Sequence, residues 1–281
     1  MEVRKLRLEE HFRTRKLWED IFTEDTPEFL DYYYTVKAKD NEIYVIEDEG
    51  EIVSMLHLNP YTMRIRKELC QVHYIVAVAT RTEYRRQGLM ARLMNHAIQE
   101  MKDRGEPFTF LMPANEAYYK PFGFEFIYTQ KQGRVCGKKR ELLEINFSNA
   151  TSKDCKKIAD YANKELSAYD IVAWRDGGYY ETILAEKSSE NGGILLARRG
   201  EEIVGVFPFT KEQEVQVWEP LFDEKEVFEH AVYLLTESEE IGVNCIGYGD
   251  EKLQPIIMAK ILDEKMKNIF QKAKVFLNEV V

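Results

Sequence analysis

Seven consecutive residues, Tyr84-Arg85-Arg86-Gln87-Gly88-Leu89-Met90, have the types and order that hold a pyrophosphate. An apolar run, Tyr74-Ile75-Val76-Ala77-Val78-Ala79, leads into them, and a periodic amphipathic pattern leads out. Strand, basic glycine turn and helix suit phosphate for a physical reason. The first N–H groups of a helix lack intrahelical partners and carry partial positive charge, and a glycine lets an anion come close to the backbone. Residues 81–104 hold six Lys/Arg against three Asp/Glu in a chain of net charge -10. A locally positive segment of this kind recruits anions. The competing reading is a solvated basic turn.

The helix that must present this turn is the clearest periodic element. Met90, Leu93, Met94, Ala97, Ile98 and Met101 recur at helical spacing, Arg92, Asn95, Gln99 and Lys102 lie opposite, and Gly105 is placed to end it. Upstream, residues 3–8 read as a strand. Residues 9–22 read as one amphipathic helix with Phe12, Leu17, Trp18, Ile21 and Phe22 as core contacts. A second helix begins at Pro27, a residue suited to a first turn, and carries Phe29, Leu30, Tyr32, Tyr33 and Tyr34. Residues 43–46 and 52–56 flank a glycine turn as a hairpin, whose second strand runs on to about Arg64. Residues 69–79 form the strand that feeds the basic turn. Beyond the helix, 108–112 is a short buried strand and 124–135 an extended segment. The fold class is α/β, a mixed sheet with helices packed on it.

A boundary falls near Gly137-Lys138-Lys139-Arg140, dividing the chain into 1–137 and 138–281. After it a similar order begins again. Residues 150–154 cap a helix over 155–166, helical segments continue to about 187, and a hairpin follows across Arg199-Gly200-Glu201-Glu202. A strand at 215–218 and a helix from about 223 come next. A length of 281 residues suits about two domains at roughly 100–200 residues each.

Composition limits the partners. Hydrophobic content of 44% and charged content of 31% describe an ordered globular chain. The acidic balance argues against general nucleic-acid or anionic-membrane binding. It suits a small cationic substrate, and equally solubility alone. Cys70, Cys136, Cys155 and Cys245 are far apart with no CxxC pair, so neither a zinc site nor a disulfide framework is expected. The N-terminus shows no signal-peptide pattern, and no apolar run approaches the ~18 residues of a spanning helix. A cytoplasmic location is expected.

The signature Arg/Gln-x-x-Gly-x-Gly/Ala is matched at its first four positions by Arg85-Arg86-Gln87-Gly88, and Met90 departs from it at the last. With Tyr119-Lys120-Pro121-Phe122-Gly123-Phe124 and the order of elements, the first 137 residues or so resemble the GNAT superfamily of acetyl-CoA-dependent N-acetyltransferases. A large aliphatic at the Met90 position is similar to the Eis (enhanced intracellular survival) class. The resemblance implies acetyl-CoA as cosubstrate, no metal, and tandem GNAT-like domains of which the first is active and the second degenerate. It implies that Arg85, Arg86, Gln87, Gly88, Leu89 and Met90 hold the pyrophosphate. It implies too that main-chain groups of Val76, Ala77 and Val78 pair with the pantetheine amides as an added strand would. Asn115 matches an asparagine near the cofactor, and Tyr119 matches the general acid of Tyr-x-x-(apolar)-Gly-(Phe/Tyr). A tyrosine near the sulfur can protonate the departing thiolate, whose reference pKa is about 8.5. Tyr118 is the competing assignment, and an aromatic packed on Phe122 and Phe124 the bland one.

His73 is a candidate relay for the ammonium proton, and a structural strand histidine otherwise. In the Eis class the base is the carboxylate of the chain's own C-terminus, carried by a sterol-carrier-like third domain. Met258-Ala259-Lys260-Ile261-Leu262-Asp263 resembles the strand that opens that domain, and Val281 is assigned no catalytic role. Arg175-Asp176-Gly177-Gly178 also fits Arg-x-x-Gly, but Asp176 would repel phosphate. It reads as a helix-start loop, so the second half is expected to bind no CoA. The leading expectation is direct acetyl transfer to a primary amine of a small cationic substrate by a homo-oligomer. A non-catalytic acyl-CoA-binding module and a peptide or protein N-acetyltransferase are the alternatives.

Overall fold

The computed structural model describes residues 1–211 and 214–279. In chain order its elements are β1 (Val3–Lys5), α1 (Arg15–Ile21), α2 (Pro27–Thr35), β2 (Glu42–Asp48), β3 (Glu51–Ile65), β4 (Glu68–Thr80), α3 (Leu89–Asp103) and β5 (Phe108–Leu111). Next come β6 (Glu125–Cys136), β7 (Ile145–Asn149), α4 (Cys155–Glu165), β8 (Ile171–Ala173), α5 (Gly177–Ser189), β9 (Gly193–Arg199) and β10 (Glu202–Lys211). Then follow β11 (Val215–Trp218), β12 (Leu221–Phe222), α6 (Lys225–Thr236), β13 (Gly242–Ile246), β14 (Lys252–Ile261), α7 (Lys265–Phe270) and β15 (Val275–Phe276). The fold is mixed α/β, as its residue patterns predict.

Two compact units emerge, and they are not contiguous in sequence. The first comprises Met1–Tyr128, Tyr169–Trp174 and Ile256–Val281; the second comprises Thr129–Ala168 and Arg175–Pro255. The sequence places one division near residue 137, whereas the chain passes between the units four times. The reason is strand partnership. Residues 258–261 pair antiparallel with β5, Met258 opposite Leu111 and Ile261 opposite Phe108. The segment expected to open a third domain thus supplies a strand of the first unit. Likewise β8, expected within a helical stretch, pairs with β3 and β15. Periodicity reveals that a run is a strand but not which edge receives it.

In the first unit the strands run β1–β2–β3–β4 by antiparallel pairing, then β4–β5 parallel, then β5–β14 antiparallel. The second unit repeats the succession: β7–β9–β10–β11 antiparallel, β11–β13 parallel, β13–β6 antiparallel. Two helices follow the first strand of each unit, and one helix joins the fourth strand to the fifth.

The core of the first unit lies between α3 and the sheet. Leu89, Leu93, Met94, Ala97 and Met101 from α3 pack on Tyr44, Leu56, Leu58, Ile75 and Leu111. On the other sheet face, Trp18 of α1 and Tyr33 of α2 are buried against His57 of β3. Residues 9–22 are not one helix: a 3₁₀ stretch, Leu8–Thr14, precedes α1. The tighter period turns Phe12 outward, where 59% of it is exposed, so it is not a core contact.

Candidate active site

The site begins where β4 and β5 part. These parallel strands share a single register pair, Tyr74 with Phe110, although β4 continues to Thr80. Thr109 Oγ1 donates to the His73 carbonyl at the joined end. Beyond it, a bulge shifts the register of β3 on β4: Met55 faces Ala79, but His57 faces Val76. Ala77 takes up the shift at φ +51°, a left-handed conformation that costs a non-glycine residue energy and turns the strand. Past the Tyr74–Phe110 pair, Val76, Ala77 and Val78 have no register partner on β5.

β4 ends in the basic turn. Arg85, Arg86, Gln87 and Gly88 are all exposed. Arg85 Nε donates to the Thr80 carbonyl (3.2 Å) and Gln87 Nε2 to the Glu83 carbonyl (3.4 Å), which ties the turn to itself. Arg86 and Gly88 both have positive φ, +62° and +77°. Gly88 is the N-cap of α3, and no side chain caps that end. A Cβ built on Gly88 would meet nothing within 4 Å. A fifteen-residue helix thus begins at an N-cap with open space beside it and no side-chain cap for its first N–H groups. Beside them stand two guanidinium groups that no carboxylate pairs among the described residues. Leu89 is buried and Met90 packs against the α3 core. Their side chains anchor the start of the helix. Met90, the departure from the signature, packs against the core.

Tyr119 belongs to the same core cluster as Leu89, Leu111 and Ile75, with Met90, Val78 and Tyr84 packed on it. This cluster joins the parted strands, the helix start and the tyrosine turn. Tyr119 sits between two 3₁₀ turns, Glu116–Tyr118 and Lys120–Phe122, and is 8% exposed, whereas Tyr118 is 58% exposed. Its ring meets Phe124 edge-on at 6.1 Å. Burial, helped by Tyr118, pushes its pKa up to about 12, so the hydroxyl keeps its proton at neutral pH. Asn115 is the N-cap of the first turn: its Oδ1 accepts from the Ala117 N–H (2.9 Å). The structure thus shows Asn115 shaping the approach to Tyr119.

His73 lies three residues before Val76, on the joined stretch of β4. Its Nδ1 is 2.8 Å from Glu106 Oε1, and Arg104 also reaches Glu106 (3.2 Å). Val281 lies outside the described residues. Among those described, no group of three or more His, Cys, Asp or Glu is placed to hold a metal ion, the four cysteines are free, and no helix is long and apolar enough to cross a membrane.

One cluster escaped the sequence reading. His57, Asn59 and Tyr33 are fully buried on the α1–α2 face of the sheet, with Asn41 nearly so. Tyr33 donates to Asn59 Oδ1 (3.1 Å), accepts from Asn41 Nδ2 (2.9 Å) and lies 3.1 Å from His57 Nδ1. Burial drives the His57 pKa down to about 3, so the ring is neutral. The signal was present: His57 and Asn59 are two apart within an apolar strand, hence on one face.

Residues 2–127 match the model of the acetyltransferase (GNAT) domain family. No curated protein sequence matches the chain significantly. Among solved structures, a conserved protein of unknown function from Enterococcus faecalis V583, described as a probable N-acyltransferase, superposes with a TM-score of 0.77 at 17% identity, covering 93% of this chain and 72% of that one. A GCN5-related N-acetyltransferase from Kribbella flavida gives 0.71 at 16% identity, covering 93% and 71%. Eis1 from Mycobacterium abscessus gives 0.66 at 11% identity, covering 94% and 74%. The chain therefore carries a GNAT acetyltransferase domain over residues 2–127 and is an acyltransferase. Acetyl-CoA is the cosubstrate that such a domain implies.

Proposed function

We propose that the protein transfers an acetyl group directly from acetyl-CoA to a primary amine of a small, cationic substrate, with Tyr119 as the general acid. The observation that carries this is the single cluster in which the parted β4 and β5, the uncapped start of α3 and a buried, protonated Tyr119 meet. Acetyl-CoA supplies the activated acyl thioester. Arg85, Arg86 and the N–H groups after Gly88 hold the pyrophosphate, and the Val76–Ala77–Val78 main chain receives the pantetheine arm. Tyr119 keeps a proton in a water-poor setting for the leaving sulfur. Among the described residues its hydroxyl has no hydrogen-bond partner competing for that proton. The second unit contributes no CoA site, the Eis class is the branch we favour, and the working form is a homo-oligomer.

The cationic character of the acceptor is supported by Asp25, between α1 and α2. Burial raises its pKa, while Trp18 Nε1 donates to it at 2.7 Å. No cation pairs with it among the described residues. Trp18 in turn packs on His57 (5.4 Å between rings), which faces Val76 in the register. A half-buried carboxylate without a counter-ion gains from an arriving ammonium.

The test is CoA release across an amine panel, followed by substitution. Tyr119→Phe keeps the ring and should lower kcat by roughly 10²–10⁴-fold with KM for acetyl-CoA nearly constant. Tyr118→Phe should be near neutral because that ring faces solvent. Damage from Tyr118→Phe, with Tyr119→Phe harmless, would move the acid by one residue; no damage from either would remove tyrosine from the chemistry.

A further inference from the structure

The turn that carries Tyr119 is fastened by a residue from the far end of the chain. In β14, Lys260 lies opposite Thr109 of β5. Its ammonium donates to the Phe122 carbonyl at 2.7 Å, across 138 residues of sequence. Phe122 closes the 3₁₀ turn Lys120–Phe122, and Gly123 ends it at φ +80°. The Tyr119 carbonyl already accepts the N–H groups of Phe122 and Phe124. The Phe122 carbonyl is left as the orphan acceptor of the turn's last residue, and a lysine is a suitable partner for such a group. A Cβ on Gly123 would stand 3.2 Å from Lys260 Nζ, so the glycine leaves room for the ammonium. Lys260 is half-buried and no carboxylate pairs with it among the described residues. Placing an unpaired ammonium there is costly unless it makes a charge-assisted bond that the fold requires. Its neighbour Met258 packs in the same cluster as Tyr119. One strand therefore supports both the ring and the turn of that tyrosine.

We infer that Lys260 is a positioning residue for acetyl transfer: by holding the Phe122 carbonyl it sets the orientation of Tyr119. The inference rests on the reading of Tyr119 as the general acid. Lys260 pairs with β5 through its backbone, while its ammonium bonds the Phe122 carbonyl and no group of the basic turn, so loss of the side chain acts on turnover and not on acetyl-CoA binding.

The test is a double-mutant cycle on the full chain, assayed by CoA release from acetyl-CoA with the amine selected by the panel. Lys260→Met should lower kcat by roughly 10–100-fold, the rate equivalent of a hydrogen bond to a charged group, with KM for acetyl-CoA unchanged. Lys260→Arg should restore most of it, since it keeps a charged donor. In a Tyr119→Phe background, Lys260→Met should cost nothing further. Equal losses in both backgrounds would mean that Lys260 acts independently of Tyr119 and would overturn the proposal. Wild-type kcat in a folded Lys260→Met variant beside a crippled Tyr119→Phe would overturn it too. Should the methionine variant not fold, Lys260→Leu serves, which also has no donor, and full turnover there has the same force. If Tyr119→Phe itself turns over normally, the acid assignment fails first and takes this role of Lys260 with it.

Discussion

Two connections occupy the same place in the two units and are built for opposite ends. Each joins the fourth strand to the next helix: residues 81–88 lead from β4 to α3, residues 219–224 from β11 to α6. In the first unit the flanking parallel strands share one register pair and part. In the second they stay joined to the strand's end, Gln216 to Asn244, Val217 to Cys245 and Trp218 to Ile246. The first connection carries Arg81, Arg85 and Arg86 with only Glu83 against them; the second carries Glu219, Asp223 and Glu224 with no basic residue. The second is also folded down. Leu221 and Phe222 pair with β10, and a Cβ on Gly205 would lie 2.1 Å from the Phe222 ring. The Arg-x-x-Gly run of the second half lies elsewhere, before α5, and its arginine is spent on this acidic loop. Arg175 is 1% exposed and bonds Glu219, while Asp176 caps α5 by accepting from the Tyr179 N–H. On the proposed reading, the Arg-x-x-Gly run that serves phosphate is the one whose guanidinium has no carboxylate partner and whose helix end is uncapped.

The largest effect should come from breaking the second arrangement. Arg175→Met removes the counter-ion of Glu219, whose side chain is 13% exposed. Breaking a buried pair by removing one partner costs about 3–5 kcal/mol. Chemical denaturation should register a loss of that order, with acetyl-CoA affinity of the folded variant unchanged. A folded variant with intact stability and lost CoA affinity would turn the comparison around, because Arg175 would then be serving a ligand.

The first arrangement should respond in the opposite sense. Replacing both Arg85 and Arg86 by alanine removes two exposed side chains whose one hydrogen bond, Arg85 to the Thr80 carbonyl, lies within the turn, so stability should stay within about 1 kcal/mol. KM for acetyl-CoA should rise roughly 10–100-fold with little change in kcat, since contacts to the pyrophosphate are equal in ground and transition states. Calorimetric titration of the parent chain should give one CoA per chain. A stoichiometry of two would show that the acidic connection of the second unit does not exclude the ligand.

How far the sequence could carry this comparison depends on the kind of signal. The α3 helix was legible because Met90 to Met101 repeat at helical spacing, and the basic turn because Arg85 to Gly88 stand at its start. Trp218 was legible as the end of a strand, and Asp176 as a residue hostile to phosphate. Three things were not legible. The equivalence of residues 219–224 to residues 81–88 depends on strand order, to which local composition is blind. The return of residues 258–261 to β5 is a long-range pairing, and an apolar run such as Ile256-Ile257-Met258-Ala259 fits any open edge. The bulge at Ala77 was hidden as well, since alanine carries no hint of a left-handed backbone. The parting of β4 and β5 that it accompanies is the feature on which the candidate site most depends.

A smaller change separates Gly88 from Gly177, the residue that opens α5 just before Gly178, the glycine of the second Arg-x-x-Gly run. Gly88 sits at φ +77°, with nothing within 4 Å of where a Cβ would stand. Gly88→Ala therefore meets no neighbour, and its stability cost, about 1 kcal/mol, is the strain of a left-handed alanine. The added methyl also projects into the space that a phosphate would use, so KM for acetyl-CoA should rise while kcat holds. Gly177 opens α5 without a positive φ, and a Cβ there would stand 3.9 Å from Lys156, an ordinary contact. Gly177→Ala should shift stability by no more than about 0.5 kcal/mol, in the stabilising direction, because alanine has the higher helix propensity. Thermal unfolding of the pair, read beside their KM values, separates backbone strain from ligand contact. Strain alone would lower the Tm of Gly88→Ala and leave its KM untouched, and that result would remove Gly88 from the pyrophosphate cradle.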